Sequence, residues 1–150
     1  MRFHVVAVGR ARSDPEAALF ARYAERIRPR LELIELADGR GAPVEIKRRE
    51  GDAILTALPR DAFAVVLDQG GAALDTAAFA AALERWLGSA REVCFVLGGA
   101  EGLDPRVVAR ADFTLSLGAM TWPHLLARAM LAEQLWRATS ILAGHQIGRA

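Results

Sequence analysis

The chain has 150 residues and a mass of 16.2 kDa, enough for one domain whose folding removes roughly two thirds of the unfolded surface from water. With 53% hydrophobic and 25% charged residues it is not a disordered chain, and no apolar run approaches the ~20 residues that span a membrane. The net charge of +1 neither requires nor excludes nucleic acid, and the single cysteine, Cys94, excludes an internal disulfide and any multi-cysteine metal site.

Residues 3–8 (FHVVAV) are apolar and rich in β-branched side chains, a buried strand that ends at Gly9. The apolar run is too short for a secretory signal, so a cytoplasmic protein is expected. Ser13-Asp14-Pro15-Glu16 reads as a helix start with a capping side chain, and Leu19, Phe20, Tyr23 and Ile27 continue at helical spacing until Pro29. Residues 31–37 (LELIELA) alternate apolar and acidic, which predicts a strand near a sheet edge. After the loop DGRGAP, residues 44–58 form a helix with Ile46, Ile54 and Leu58 inward and Lys47, Arg48 and Arg49 outward.

The second half repeats one unit. Strand 63–67 (FAVVL) leads through the loop DQGGAALD to helix 76–87. Strand 92–97 (EVCFVL) leads through GGAEGLD to a short helix at 105–110. Strand 112–117 (DFTLSL) leads through GAMTW to a long helix from Pro123 to Ala143, with Thr121 as a candidate cap. Strand, loop and helix in alternation predict a single α/β domain over 1–150, a mostly parallel sheet with helices on both faces.

Ligands of such sheets bind beyond the carboxyl ends of the strands. Here Leu67-Asp68-Gln69-Gly70-Gly71, Leu97 to Gly102 and Leu117 to Pro123 all carry glycines, which let the main chain approach a ligand closely. Side by side they would wall a pocket suited to an adenosine-type ligand, its base edge on main chain and its face on Leu97, Leu117, Met120 and Trp122. There is no GxxxxGK[ST], no GxGxxG, no HExxH and no GxSxG. Cys94 sits mid-strand and reads as an inert core residue. His4, His124 and His145 lie far apart in sequence, so no metal site is expected.

The long last helix is apolar nearly all round. It must be covered on two sides, by the sheet and, as the simplest second cover, by a partner subunit. His124 and Arg128, four apart, share the face at its start, where the proposed pocket opens. His124 is a candidate for proton handling and Arg128 for phosphate binding, against capping and ion-pair roles. Glu101 is a candidate pocket carboxylate or a helix-start acid. The first fifty residues carry an excess of three positive charges, with Arg22, Arg26, Arg28 and Arg30 close together.

Phe3–Gly9, the LGGAEGL run from Leu97 to Leu103, the TWPH run from Thr121 to His124, Arg128 and the EQLWRA run from Glu133 to Ala138 together resemble the ribosomal RNA large subunit methyltransferase H family, small SPOUT-class enzymes of bacteria. The likeness covers essentially the whole chain. It implies a C-terminal trefoil knot, a homodimer through the C-terminal helix, and S-adenosylmethionine as methyl donor. It further implies methylation at N3 of pseudouridine 1915 of 23S rRNA in the assembled ribosome. Carried over by position, the cofactor residues would be Leu67, Gly98, Leu117, Gly118, Ala119, Met120, Thr121 and Trp122. His124 and Glu101 are the candidates for the group that takes the N3 proton. Arg10, Arg12, Arg22, Arg128 and Arg149 are the candidates for RNA phosphates. At its end the chain departs from the family: Ile147 stands at a tyrosine position and Gly148 at a histidine position. The alternative reading is therefore a module that holds the cofactor or the ribosome without methyl transfer.

Overall fold

A computed structural model describes residues 2–90 and 92–144. The elements follow in the expected order: β1 (Arg2–Val8), α1 (Pro15–Ala24), β2 (Leu31–Leu36), α2 (Pro43–Ala57), β3 (Phe63–Ala73), α3 (Thr76–Ser89), β4 (Glu92–Leu97), α4 (Pro105–Arg110), β5 (Phe113–Ser116) and α5 (His124–Leu142). The strands form one sheet in the order β2-β1-β4-β3-β5, and every pairing is parallel. The acidic-apolar strand β2 is an edge, as its alternation predicts.

Period-two alternation sends side chains to two cores. Phe3, Val5, Val65, Val93 and Phe95 face α1, α3 and α5. Val6, Val8, Val66, Cys94 and Val96 face α2 and α4. In the first core Trp86 stacks on Phe63 at 5.4 Å and meets Phe79 and Phe95 edge-on. Such contacts add to what burial alone supplies.

Several local expectations are corrected. Asp14 precedes α1 without capping it; its carboxylate instead accepts from Arg12 N at 3.0 Å. Thr121 does not cap α5, whose N-cap position is Pro123. The segment read as a loop after Leu67 continues β3 to Ala73, with a register shift against β5 between Leu67 and Ala72. A Cβ on Gly71 would lie 2.6 Å from Thr114 O, so only glycine admits this approach of β3 to β5.

Part of the cover of α5 comes from its own chain. α5 packs against both α1 and α3, and Tyr23 meets Trp136 at 5.7 Å. No residue from Leu125 to Ile141 is exposed. Leu125, Leu126, Met130 and Trp136 are still only half-buried beside these helices. The segment from Leu117 to Pro123 leads from the edge strand β5 past the ends of β3 and β4 to α5, a path consistent with the knot that the resemblance implies. Among the described residues no helix is long and apolar enough to cross a membrane.

Candidate active site

The three glycine-bearing strand exits converge. They wall a cavity of about 290 Å³ at the carboxyl ends of β4 and β5 and at the point where β3 changes register after Leu67. Leu67, Asp68 and Gln69 come from β3; Leu97, Gly98, Gly99, Gly102 and Leu103 from the β4 exit; Leu115, Leu117, Gly118, Met120, Thr121 and Trp122 from β5 and beyond it. His124 and Ala127 close it from the first turn of α5. Parallel pairing puts these ends at one level, and the order β4-β3-β5 makes them neighbours.

Short contacts fix the walls. Gly102 N donates to Gly99 O at 3.1 Å, closing the turn after β4. Ser116 Oγ accepts from Gly118 N at 3.1 Å and donates to Gly118 O at 3.1 Å. Gln69 Nε2 donates to Ala119 O, tying the β3 exit to the β5 exit. Trp122 Nε1 donates to Leu117 O at 3.3 Å. Met120 is 72% exposed and Trp122 also faces water, so the mouth has an apolar lip. Such a lip is a binding feature on a protein surface more often than an accident.

Gly98 is the tightest point. A Cβ there would lie 2.9 Å from Leu103 Cδ2 and 3.2 Å from Gly102 O. The space a side chain would take is already filled by Leu103 and the Gly102 carbonyl, so the β4 exit closes on itself tightly here. Backbone donors and acceptors with leucine walls fit a nucleoside ligand.

Beside the cavity the exit of β1 forms a second layer. Arg128, 2% exposed, donates to Val8 O at 2.9 Å, to Gly9 O, and to Glu35 Oε2 at 2.8 Å. Glu35 Oε2 also accepts from Ala11 N at 2.7 Å. A Cβ on Gly9 would lie 3.6 Å from His124 Nε2 and 3.3 Å from Asp38 Oδ1, so the imidazole of the exposed His124 lies beside this exit.

Residues 1–146 match the family model described as "Predicted SPOUT methyltransferase". A curated relative in Gluconacetobacter diazotrophicus, named ribosomal RNA large subunit methyltransferase H, is 64% identical over 146 residues, covering 97% of this chain and 96% of its own. One of the same name in Acidiphilium cryptum is 56% identical over 149 residues, covering 99% and 94%. The chain belongs to the ribosomal RNA large subunit methyltransferase H family. Among solved structures, the SpoU methyltransferase AviRb from Streptomyces viridochromogenes, in complex with AdoMet, is similar with a TM-score of 0.47 and 12% identity, over 91% of this chain and 57% of that one.

Within this methyltransferase fold the residues named from sequence fall out unevenly. Leu67, Gly98, Leu117, Gly118, Met120, Thr121, Trp122 and His124 all line the cavity. Ala119 does not line it and contributes a carbonyl to the Gln69 tie. Glu101 is exposed at the tip of the β4 exit and does not reach the cavity lining. Arg128 is not at the mouth: its guanidinium is buried and committed to Glu35 and two carbonyls, the ion-pair alternative. Arg10 and Arg22 are exposed. Arg149 and the divergent tail lie outside the described residues. Sequence reasoning missed Glu35, Leu103 and Ala127. The last was within reach, one turn from His124 on the same helix face.

Burial pushes the Cys94 thiol up to about 11, with the Glu92 carboxylate adding to the rise and Arg110 opposing it. Cys94 is thus no nucleophile at neutral pH.

Proposed function

We propose that this protein transfers a methyl group from S-adenosylmethionine to N3 of pseudouridine 1915 of 23S rRNA in the assembled ribosome. The observation that carries the reading is the glycine-and-leucine cavity at three adjacent strand exits, in a chain of the methyltransferase H family. The glycine lining at Gly98, Gly99 and Gly102 suits a nucleoside lying against main chain. Bound there, the sulfonium cofactor supplies an electrophilic methyl group.

The residues do the rest by position. The Gln69 tie to Ala119 O keeps the β3 and β5 exits at a fixed separation. The exposed apolar side chains of Met120 and Trp122 at the mouth offer surface for a bound base or ring to cover. His124, lining the cavity beside Gly9, is the residue we assign to take the N3 proton of the target base. Arg128 acts one step back: by gripping Val8 O, Gly9 O and Glu35 it fixes the turn beside which the imidazole lies. Exposed Arg10 and Arg22 meet RNA phosphates. The working unit is a homodimer of single-domain chains, with a solution mass of twice 16.2 kDa.

The test is incubation of the purified protein with labelled S-adenosylmethionine and ribosomes lacking the modification. Label in 23S rRNA at N3 of the pseudouridine supports the reading. Cofactor binding in calorimetry with no label transferred overturns it in favour of a binding module.

A further inference from the structure

A second constellation lies at the other end of the sheet. The β1–β4 register sets His4 opposite Cys94, and Glu92 precedes Cys94 by two residues, so its side chain leaves the same face. That face is covered by α2 and α4. On the far side of β1 the register sets His4 opposite Glu32.

Glu32 Oε2 lies 3.2 Å from His4 Nε2, so the carboxylate engages that side of the ring. Nδ1 belongs to a residue only 8% exposed and has no hydrogen-bond partner among the described residues. It lies 3.7 Å from Glu92 Oε2, beyond hydrogen-bond distance. A buried ring nitrogen left unsatisfied beside a carboxylate calls for a partner between the two atoms. Cys94 Sγ completes the set: Nδ1, a Glu92 oxygen and Sγ all lie within 4.8 Å of one another.

We propose that His4, Glu92 and Cys94 bind a thiophilic divalent cation of the zinc class. One nitrogen, one oxygen and one sulfur donor suit zinc, with water in the fourth position. Donor atoms around a tetrahedral zinc sit roughly 3.3–3.8 Å apart, which the His4–Glu92 separation already meets. Glu92, with its flexible side chain 24% exposed, gives the ion a path in and takes up the remaining adjustment of about 1 Å. On binding, the S–H bond of Cys94 breaks, its proton leaves to water and its electron pair goes to the metal. Glu32 serves as the outer carboxylate that orients the imidazole. The site is on strands β1 and β4 away from the strand exits, so it stands or falls apart from the methyl-transfer reading.

Cobalt(II) titration of the reduced full-length protein tests this. The expected result is a thiolate-to-cobalt charge-transfer band with the visible bands of a tetrahedral ion, bleached by one equivalent of zinc. Cys94→Ser removes the charge-transfer band. Glu92→Gln, on the more exposed ligand and so least disturbing to the core, weakens cobalt binding about tenfold or more, as does Glu32→Gln through orientation of the ring. Zinc raises the thermal midpoint of the natural sequence but not of Glu92→Gln. Absence of the band in folded protein overturns the proposal. So does nitrogen NMR showing both His4 nitrogens protonated in excess zinc, since a proton then fills the gap between the carboxylates.

Discussion

Gly98 shows how much one missing side chain decides. A Cβ at this position meets Leu103 Cδ2 at 2.9 Å, the far end of a flexible side chain, and Gly102 O at 3.2 Å, which is main chain. The first neighbour can rotate away; the second moves only with the turn. Gly98→Ala is therefore expected to weaken S-adenosylmethionine binding about tenfold, equivalent to about 1.4 kcal/mol. Its overpacking should cost about 1–3 kcal/mol of stability. Isothermal calorimetry and urea midpoints read the two effects separately. The double variant Gly98→Ala/Leu103→Ala should recover part of the stability lost, giving a coupling of about 0.5–3 kcal/mol between the sites. Strict additivity would exclude Leu103 as the clashing group. The glycine itself was legible in the sequence because it follows a buried strand at a ligand-binding end. Arg128 was not legible in the same way. Its spacing from His124 is plain, but its burial depends on two carbonyls of β1 and a carboxylate of β2, which lie more than ninety residues earlier.

Among the elements, α4 is the shortest helix and the one most dependent on its ends. Asp104 caps it, accepting from Arg106 N at 2.8 Å, and the same carboxylate receives the Arg106 guanidinium at 2.8 Å. Arg106 reaches on to Asp52 of α2 at 2.9 Å, so one arginine joins the cap to the neighbouring helix. The side-chain bond from Arg106, with its backbone N–H, holds the Asp104 carboxyl below its ordinary value. The folded form thus prefers the charged carboxylate. This stabilisation is complete above the ordinary carboxylate range and is lost as pH falls through the lowered folded value. Asp104→Asn keeps a capping oxygen but removes the charge. It should cost up to about 1 kcal/mol at neutral pH, since Arg106 is half-exposed. Urea midpoints of the two proteins should converge as the pH is lowered. A gap that persists in acid would mean that the residue acts through packing. The strands themselves were legible as β-branched runs, and the alternation of LELIEL placed β2 at an edge. The extension of β3 was not, because DQGGAA has the composition of a turn; it becomes a strand only because β5 offers Leu115 and Ser116 to pair with. The packing of α1 and α3 on α5 was not legible for a related reason: all-round apolarity says that a helix is enclosed, not by which elements.

At the scale of the whole molecule, the charges divide by face rather than by number. Arg48, Arg49, Arg106 and Arg110, on α2 and α4, are all engaged in ion pairs. Arg10 and Arg12 on the β1 exit, and Arg22 and Arg26 on and after α1, are exposed, and no ion pair holds them among the described residues. A net charge of +1 conceals this division, which is why composition alone was silent about nucleic acid. Cations without protein partners are the ones able to displace counterions from phosphates, and each such contact steepens the salt dependence of binding. Arg10 adjoins Gly9 near His124, at the cavity, whereas Arg22 stands in the last turn of α1 and Arg26 just after it, the two ends of one basic strip separated by most of α1. Arg10→Ala and Arg22→Ala should each weaken ribosome binding several-fold and reduce the slope of log affinity against log salt by about one. Arg48→Ala, equally exposed but paired with Glu45 at 2.6 Å, should change neither. Filter binding over a potassium chloride series measures both quantities. An Arg48 effect as large as that of Arg10 would mean that the ribosome reads the opposite face of the sheet, and the strip would lose its role.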